Sequence, residues 1–294
     1  MIKKAFTMLE LVMVIVVMGI VASIGADIIA NLYENYIRTR AINRLQSQTE
    51  LALDQIAKRL QFRIKDSVRA IDTGTNTSVP LPDANSSYTV LEWIGTSNES
   101  FLGGWSGFID LDSNDTNSSA IPRTLKTSGS DLDATNNIIN ALTDANVSLD
   151  GTGDAPAIIF KRKSDYNISK YYTSTDNDYT VKVKRRPLPA NDILTIYDDN
   201  VSNSEIFEQY WLSHSAFAIV PNGTANDFNL TLHYNYQPWE GEAYSSATET
   251  VIIEHASTFR FTQIGETIRV KLCIHDNNQS GDYDFSFCKE RVIY

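Results

Sequence analysis

Residues 1–40 read MIKKAFTMLELVMVIVVMGIVASIGADIIANLYENYIRTR, and this stretch decides how the chain is organised. Two lysines precede a nearly unbroken apolar block, Leu11 to Gly25. With the residues that follow, about 20 positions are apolar enough to cross a bilayer as a helix. No small-x-small cleavage site follows the block, and a helical pattern runs straight on. The sequence therefore predicts a retained apolar helix instead of a cleaved secretory signal.

Glu10 is the unusual residue of this segment. A carboxylate beside a membrane-spanning stretch costs about 2.5 kcal/mol or more unless it is paired or near the interface. One interpretation is an ordinary membrane anchor whose Glu10 lies among the lipid headgroups. The other is a functional pairing of the carboxylate with a positive charge.

Residues 3–11, KKAFTMLEL, strongly resemble the type IV pilin and pseudopilin signature, a basic leader ending in a small residue followed by Phe-Thr-x-x-Glu. The resemblance implies that prepilin peptidase cuts between Ala5 and Phe6 and N-methylates Phe6. It also implies that Glu10, as the fifth mature residue, pairs with the terminal amine of a neighbouring subunit in the filament. The chain departs from the family at Ala5, where Gly is usual, and at Asp27, where Pro is common. Whether the helix bends at Asp27 stays open.

An amphipathic helix is predicted beyond the apolar block, because apolar residues recur at three and four positions. Its stripe comprises Ile42, Leu45, Thr49, Ala52, Leu53, Ile56, Leu60 and Ile64. One helix from Phe6 to about Val68 would be on the order of 95 Å long. The predicted organisation is a leader (1–5), a membrane and assembly helix (6–30), its amphipathic continuation (31–70) and a head domain (71–294).

The rest of the chain predicts a head rich in antiparallel β-sheet, so the fold class is α+β. Residues 73–87 form a turn-rich connection, and a short helix is predicted around Asn137 to Leu142. The predicted strands are Tyr88–Ile94, Ala157–Phe160, Tyr179–Val183, Ile193–Tyr197, Phe217–Val220, Leu230–Tyr236, Val251–Ile253, Phe259–Phe261 and Ile268–Ile274.

The segment Val251 to Ile274 also looks like the terminal strand pair of the larger minor pilins and the J-type minor pseudopilin. This resemblance implies a minor subunit of a type IV pilus or type II secretion pseudopilus. Its expected partners are other pilins, prepilin peptidase and the bacterial inner membrane, with the head in the periplasm before assembly and at the cell surface in a pilus. The alternative is a filament-borne adhesin or ligand-binding module, including one for DNA uptake.

Charge argues against tight nucleic-acid binding, because the 294 residues carry a formal net charge of -11 and binding phosphates requires a concentrated basic surface. The nearest candidate, VKVKRR at residues 181–186, alternates charged and apolar residues and is predicted to be a strand. No coherent catalytic constellation is apparent, since the four histidines show no local metal-ligand spacing. We therefore expect no enzymatic activity.

Cys273 and Cys288 are the two cysteines. Outside the cytoplasm they are expected to form a disulfide, whereas two unrelated buried thiols are the alternative.

A calcium site is one interpretation of the segment between these cysteines, because oxygen side chains alternate around Gly281. The possible ligands are Asp276, Asn278, Ser280, Asp282 and Asp284. Phe287 stands where an EF-hand loop has its bidentate Glu, so another segment or Glu290 would have to complete the shell. A polar turn is the alternative.

Glycosylation is one interpretation of several Asn-x-Ser/Thr triplets that carry Asp two residues earlier, a form similar to the acceptor of some bacterial oligosaccharyltransferases. Turn chemistry favours the same residue types and gives the alternative explanation. The asparagines are Asn85, Asn114, Asn117, Asn146, Asn167, Asn200 and Asn229.

Overall fold

The computed structural model describes residues 7–161, 166–175, 179–187, 189–197, 206–276 and 285–294. A single long helix leads into a head built from two antiparallel sheets, and the predicted α+β class is confirmed. The helices are α1 (Met8–Gln61), α2 (Asn98–Gly103) and α3 (Leu132–Leu142). Short 3₁₀ turns cover Lys65–Ser67, Leu81–Asp83, Ile168–Tyr172, Pro238–Glu240 and Tyr244–Ser246.

Helix α1 has 54 residues and is therefore roughly 80 Å long. It continues through Asp27 without interruption. The prediction that it extends to about Val68 or residue 70 is wrong, because the helix ends at Gln61. The Phe62 N–H donates to the carbonyls of Arg59 and Leu60. The Arg63 guanidinium also donates to the Leu60 carbonyl, at 2.8 Å. These bonds satisfy carbonyls that another helical turn would have used.

The strands, in chain order, are β1 Arg69–Asp72, β2 Thr77–Pro80, β3 Val90–Ile94, β4 Thr124–Lys126, β5 Ala157–Phe160, β6 Val181–Arg185, β7 Ile193–Ile196, β8 Tyr210–Ser213, β9 Ala216–Gly223, β10 Phe228–Tyr236, β11 Thr248–Ile264, β12 Thr267–His275 and β13 Ser286–Ile293. The larger sheet has the order β13-β12-β11-β10-β9-β3-β1-β2, and the smaller has the order β4-β7-β6-β5-β8. Neighbouring strands pair antiparallel in both.

The C-terminal half of α1 packs on the larger sheet, and its buried side chains are Leu45, Thr49, Ala52, Leu53, Ile56, Ala57 and Leu60. Ile42, predicted to begin this stripe, is exposed, since the buried side chains of α1 begin at Leu45. A second core lies between the smaller sheet and α3. A third joins the two sheets, and the Trp239 indole is fixed there by donating to the Ala155 carbonyl at 2.8 Å.

Two predicted strands, Val251–Ile253 and Phe259–Phe261, are parts of one 17-residue strand, β11. The register of β11 against β12 shifts between Ala256 and Thr258, so a bulge interrupts the alternation of buried and exposed residues. The turn-rich connection after Asp72 contains β2, which the sequence did not predict.

Candidate functional site

The N-terminal half of α1 projects from the head with its apolar side chains exposed. Exposed large apolar residues recur from Met8 to Tyr36. Among the described residues, α1 is the one helix that is long and apolar enough to cross a membrane by length and composition. An exposed apolar surface of this kind is typical of a site of contact with lipid or with another protein.

Glu10 begins this apolar half and closes a reciprocal capping box with Thr7. The backbone N–H and the hydroxyl of Thr7 each donate to Glu10 Oε2 at 2.9 Å. The Glu10 N–H in turn donates to Thr7 Oγ1 at 3.3 Å. The two side chains thus satisfy the backbone N–H groups of Thr7 and Glu10, and the carboxylate complements the positive end of the helix dipole. Ala5 and Phe6 lie outside the described residues.

Strand β13 runs alongside α1 in the same direction. The contacts advance together along both segments: the Arg38 guanidinium lies 5.0 Å from the Phe285 ring centroid, Glu50 Oε1 lies 2.9 Å from Lys289 Nζ, and Asp54 forms an ion pair with Arg291. The beginning of β13 therefore lies where α1 leaves the head, on the side of the exposed apolar half.

Cys273 of β12 and Cys288 of β13 form a disulfide between directly opposed residues. The expected disulfide is thus present. The main-chain N–H of Asp276 donates to the Phe285 carbonyl at 3.0 Å, which extends the same hairpin.

Of the predicted calcium ligands, Asp276 lies within the described residues and is partly buried. Asn278, Ser280, Asp282 and Asp284 lie outside them, so calcium binding stays a prediction.

Three residues far apart in the chain meet at one end of the larger sheet: Asp227, His255 and His275. A ligand atom of each lies within 4.8 Å of the others. Sequence reasoning treated the histidines as scattered, because only the pairing of β10, β11 and β12 brings them together. Two imidazoles and a carboxylate are suitable ligands for a transition metal.

A groove of about 320 Å³ lies beside the C-terminal end of α1 and includes Lys58, Arg59 and His214 in its lining. The His214 Nδ1 is 2.9 Å from the Ser97 hydroxyl. Part of His214 faces the groove, yet burial of its imidazole lowers its pKa to about 4. The ring is therefore neutral near pH 7.

The asparagines predicted as glycosylation sites lie mostly in exposed turns: Asn85, Asn114, Asn117, Asn146 and Asn167 are exposed, Asn229 is partly buried within β10, and Asn200 lies outside the described residues. The side-chain oxygens of three accept the backbone N–H two residues on, in the pairs Asn85 with Ser87, Asn117 with Ser119 and Asn167 with Ser169. This is the hydrogen bonding of Asx turns. Glycosylation stays a prediction, which intact-mass analysis of native protein would test.

Comparison with protein-family models, with curated proteins and with solved structures finds no match to this chain.

Proposed function

We propose that this protein is a minor pilin or minor pseudopilin, a structural subunit assembled through α1 into a type IV pilus or type II secretion pseudopilus. The observation that carries the proposal is the contrast between the two halves of α1. One continuous helix exposes large apolar side chains from Met8 to Tyr36 and is held by the head from Leu45 to Leu60. The same apolar surface suits lipid before assembly and neighbouring helices afterwards.

The head is held rigidly enough on α1 to move with it. Leu53, Ile56 and Leu60 are almost completely buried against the larger sheet. Each such side chain contributes about 1.5–3 kcal/mol on burial. Displacement of the helix during assembly would therefore carry the head along without separating the two.

Glu10 supplies the specific contact of the proposed assembly step. In the single subunit its carboxylate is occupied by Thr7 at the exposed end of the helix. Within a filament, a neighbour's terminal amine would be a stronger partner, because an unpaired carboxylate in an apolar setting costs about 2.5–3.5 kcal/mol. The pairing would offset the desolvation of both charges and fix the subunit's register.

Processing by prepilin peptidase is the first test of the proposal. The protein is expressed with and without the peptidase, and its N-terminal peptide is identified by mass spectrometry. A peptide beginning at N-methyl-Phe6 that appears only with the peptidase supports the proposal. Retention of Met1 with an active peptidase would overturn it and favour an ordinary membrane-anchored protein.

A second test separates the charge of Glu10 from its capping role. Glu10→Gln keeps a residue able to complete a capping box but removes the charge. Thr7→Val removes the cap and keeps the charge. We expect incorporation into filaments to fall at least about tenfold in Glu10→Gln, the equivalent of ~1.4 kcal/mol, and much less in Thr7→Val.

Glu50→Gln is the matched control, because Glu50 lies on the same helix and pairs with Lys289 within the subunit. Normal incorporation of Glu10→Gln would reject the proposed role of its charge. Loss of incorporation in all three variants would point to a general defect of the helix.

A filament-borne binding module is the second candidate, favoured by the groove beside the end of α1. Its basic residues Lys58 and Arg59 stand out in an acidic protein, and Phe62 and Phe217 add apolar surface. Deletion of the protein distinguishes the candidates. Loss of all filaments supports an assembly subunit, whereas intact filaments that no longer attach support a binding module.

A further inference from the structure

The Asp227, His255 and His275 cluster is built from three neighbouring strands of the larger sheet. Asp227 directly precedes β10, His255 lies within β11, and His275 is the last residue of β12. Phe228 pairs with Ala256, and Ala256 pairs with Ile274. Each cluster residue is the immediate chain neighbour of one of these paired residues. The three side chains therefore share one end of the sheet.

The carboxylate of Asp227 is at the centre of the cluster. Its Oδ1 lies 3.0 Å from His255 Nδ1 and 3.9 Å from His275 Nε2. The two imidazole rings are 6.0 Å apart between centroids. In a tetrahedral site with bonds of about 2.0–2.1 Å, ligand atoms are roughly 3.3–3.5 Å apart. Small side-chain movements would bring all three atoms to that spacing.

The backbone at His255 has an unusual conformation. Its φ is +58°, in the left-handed region, which is uncommon for residues other than Gly although Asn, Asp and His are enriched there. Near His255, the pairing of β11 is irregular with both neighbouring strands. Its register shifts against β10 near Phe228 and against β12 near Ala256. Bulges of this kind reorient side chains, and strained backbone occurs often at ligand sites.

His275 is the least satisfied member of the cluster. Within the described part of the chain, its Nδ1 is buried without a hydrogen-bond partner. Its Nε2 is 3.9 Å from Asp227, beyond the range of a hydrogen bond. Burial of an imidazole that has no hydrogen-bond partner among the described residues is costly, and coordination of a cation would use one of its nitrogens.

We propose that Asp227, His255 and His275 bind a divalent transition-metal ion, with Zn²⁺ as the best match. Two nitrogens and one oxygen favour Zn²⁺ over Ca²⁺, which takes six to eight oxygens. The site is thus distinct from the calcium site predicted from the loop sequence.

Room for a further ligand exists next to the cluster. A groove of about 500 Å³ is lined by both histidines, by Glu254 and Asp276, and by Arg44 of α1. Solvent can therefore supply the remaining position of the coordination sphere. Arg44 brings a positive charge to the groove, whereas Glu254 and Asp276 bring two negative charges. Bound metal would link three strands at the end of the head from which the apolar half of α1 projects.

The test uses the full chain in detergent, with its disulfide intact, stripped with EDTA and dialysed. Isothermal titration with Zn²⁺ and, separately, with Ca²⁺ measures affinity and stoichiometry, and elemental analysis counts retained metal. We expect one Zn²⁺ per chain and a higher thermal midpoint in its presence. Calcium should not compete for this site at equal concentration.

Three conservative variants identify the ligands. Asp227→Asn, His255→Asn and His275→Gln should each weaken Zn²⁺ binding at least about tenfold, because each removes a metal ligand. Asn at position 255 also tolerates the left-handed backbone. Glu254→Gln is the control, since it changes a carboxylate of the same groove outside the cluster and should bind as the wild type does.

Absence of stoichiometric Zn²⁺ binding by the folded wild-type chain would overturn the proposal. Binding that survives in a folded His255→Asn/His275→Gln double variant would also overturn it. Circular dichroism of each variant establishes that it is folded. Because these measurements use isolated subunits, they are independent of leader processing and filament assembly, and either proposal can fail alone.

Discussion

Cys273 of β12 stands directly opposite Cys288 of β13, and the disulfide between them joins the edge strand of the larger sheet to its neighbour. Cys273 is buried, whereas Cys288 is exposed. Strand β13 also contacts α1 through Lys289 and Arg291. The crosslink therefore fixes the strand that lies along the helix.

Removal of this disulfide should destabilise the head. The Cys273→Ser/Cys288→Ser variant is expected to lose about 3 kcal/mol of unfolding free energy, the value for closing a loop of about 15 residues. Denaturant titration of the full chain in detergent measures the loss. A reducing agent should lower the wild-type midpoint and leave the variant unchanged. Equal midpoints for oxidised wild type and variant would contradict the prediction.

The buried pair of Arg69 and Glu92 should be a second determinant of stability. Arg69 Nε donates to Glu92 Oε2, and the Tyr236 hydroxyl donates to Glu92 Oε1 at 2.7 Å. Burial disfavours the charged guanidinium, but Glu92 together with Tyr172 and Tyr236 outweighs this effect and raises the pKa of Arg69. Glu92→Gln leaves that cation without its counter-charge and should cost about 3 kcal/mol.

The matched control is Glu50→Gln, which breaks the exposed pair with Lys289 by the same chemical change. Exposed pairs contribute little, so its denaturation midpoint should stay close to that of the wild type. Similar midpoints for Glu92→Gln and Glu50→Gln would show that the buried pair has no special role.

The sequence predicted elements whose pattern is local. AIIF at β5 is wholly apolar and buried, and its predicted bounds agree with the structure. Strand β13, SFCKERVI, was missed because alternating charged residues on an edge strand resemble a solvent-exposed segment. Strand β2, TSVP, was missed because its residue types also favour turns.

The cluster of Asp227, His255 and His275 could not be predicted from the sequence for a different reason. Asp227 lies 28 residues before His255, and nothing in the intervening segment indicates that the two side chains are close in space. Only the register of the sheet, including the bulges near Phe228 and Ala256, brings the two together. Glu10, by contrast, was identified because an acidic residue beside an apolar block is conspicuous in the sequence itself.

The two halves of α1 should respond differently to the same truncation. Ile56 is fully buried on the head, whereas Ile24 is exposed on the projecting half. Ile56→Ala should lower the unfolding free energy of the head by about 3 kcal/mol through lost burial and a cavity. Ile24→Ala should leave the head's denaturation midpoint in detergent unchanged, because it removes no contact with the head. A comparable loss in Ile24→Ala would mean that the projecting half stabilises the head.

Acidification should destabilise the head through His214. Its imidazole accepts or donates a hydrogen bond with Ser97 at 2.9 Å, and burial lowers its pKa to about 4 in the folded chain. An unfolded histidine has a pKa near 6.5, so the unfolded state takes up the proton first as the pH falls. The stability that depends on neutral His214 is therefore fully present above about pH 6.5 and is lost as the pH falls toward 4. Because part of His214 faces the groove, we expect a loss of about 2 kcal/mol, less than the full shift would give.

Denaturant titrations at a series of pH values between 7 and 4 measure this loss. The control is His214→Gln, which keeps a polar partner for Ser97 but does not titrate. All other ionisable groups are the same in both proteins, so the difference between the two curves isolates His214. The variant should be less sensitive to acid than the wild type over this interval. Parallel curves would show that the imidazole is hydrated well enough to accept a proton in the folded state, and that the groove beside α1 is open to water at this residue.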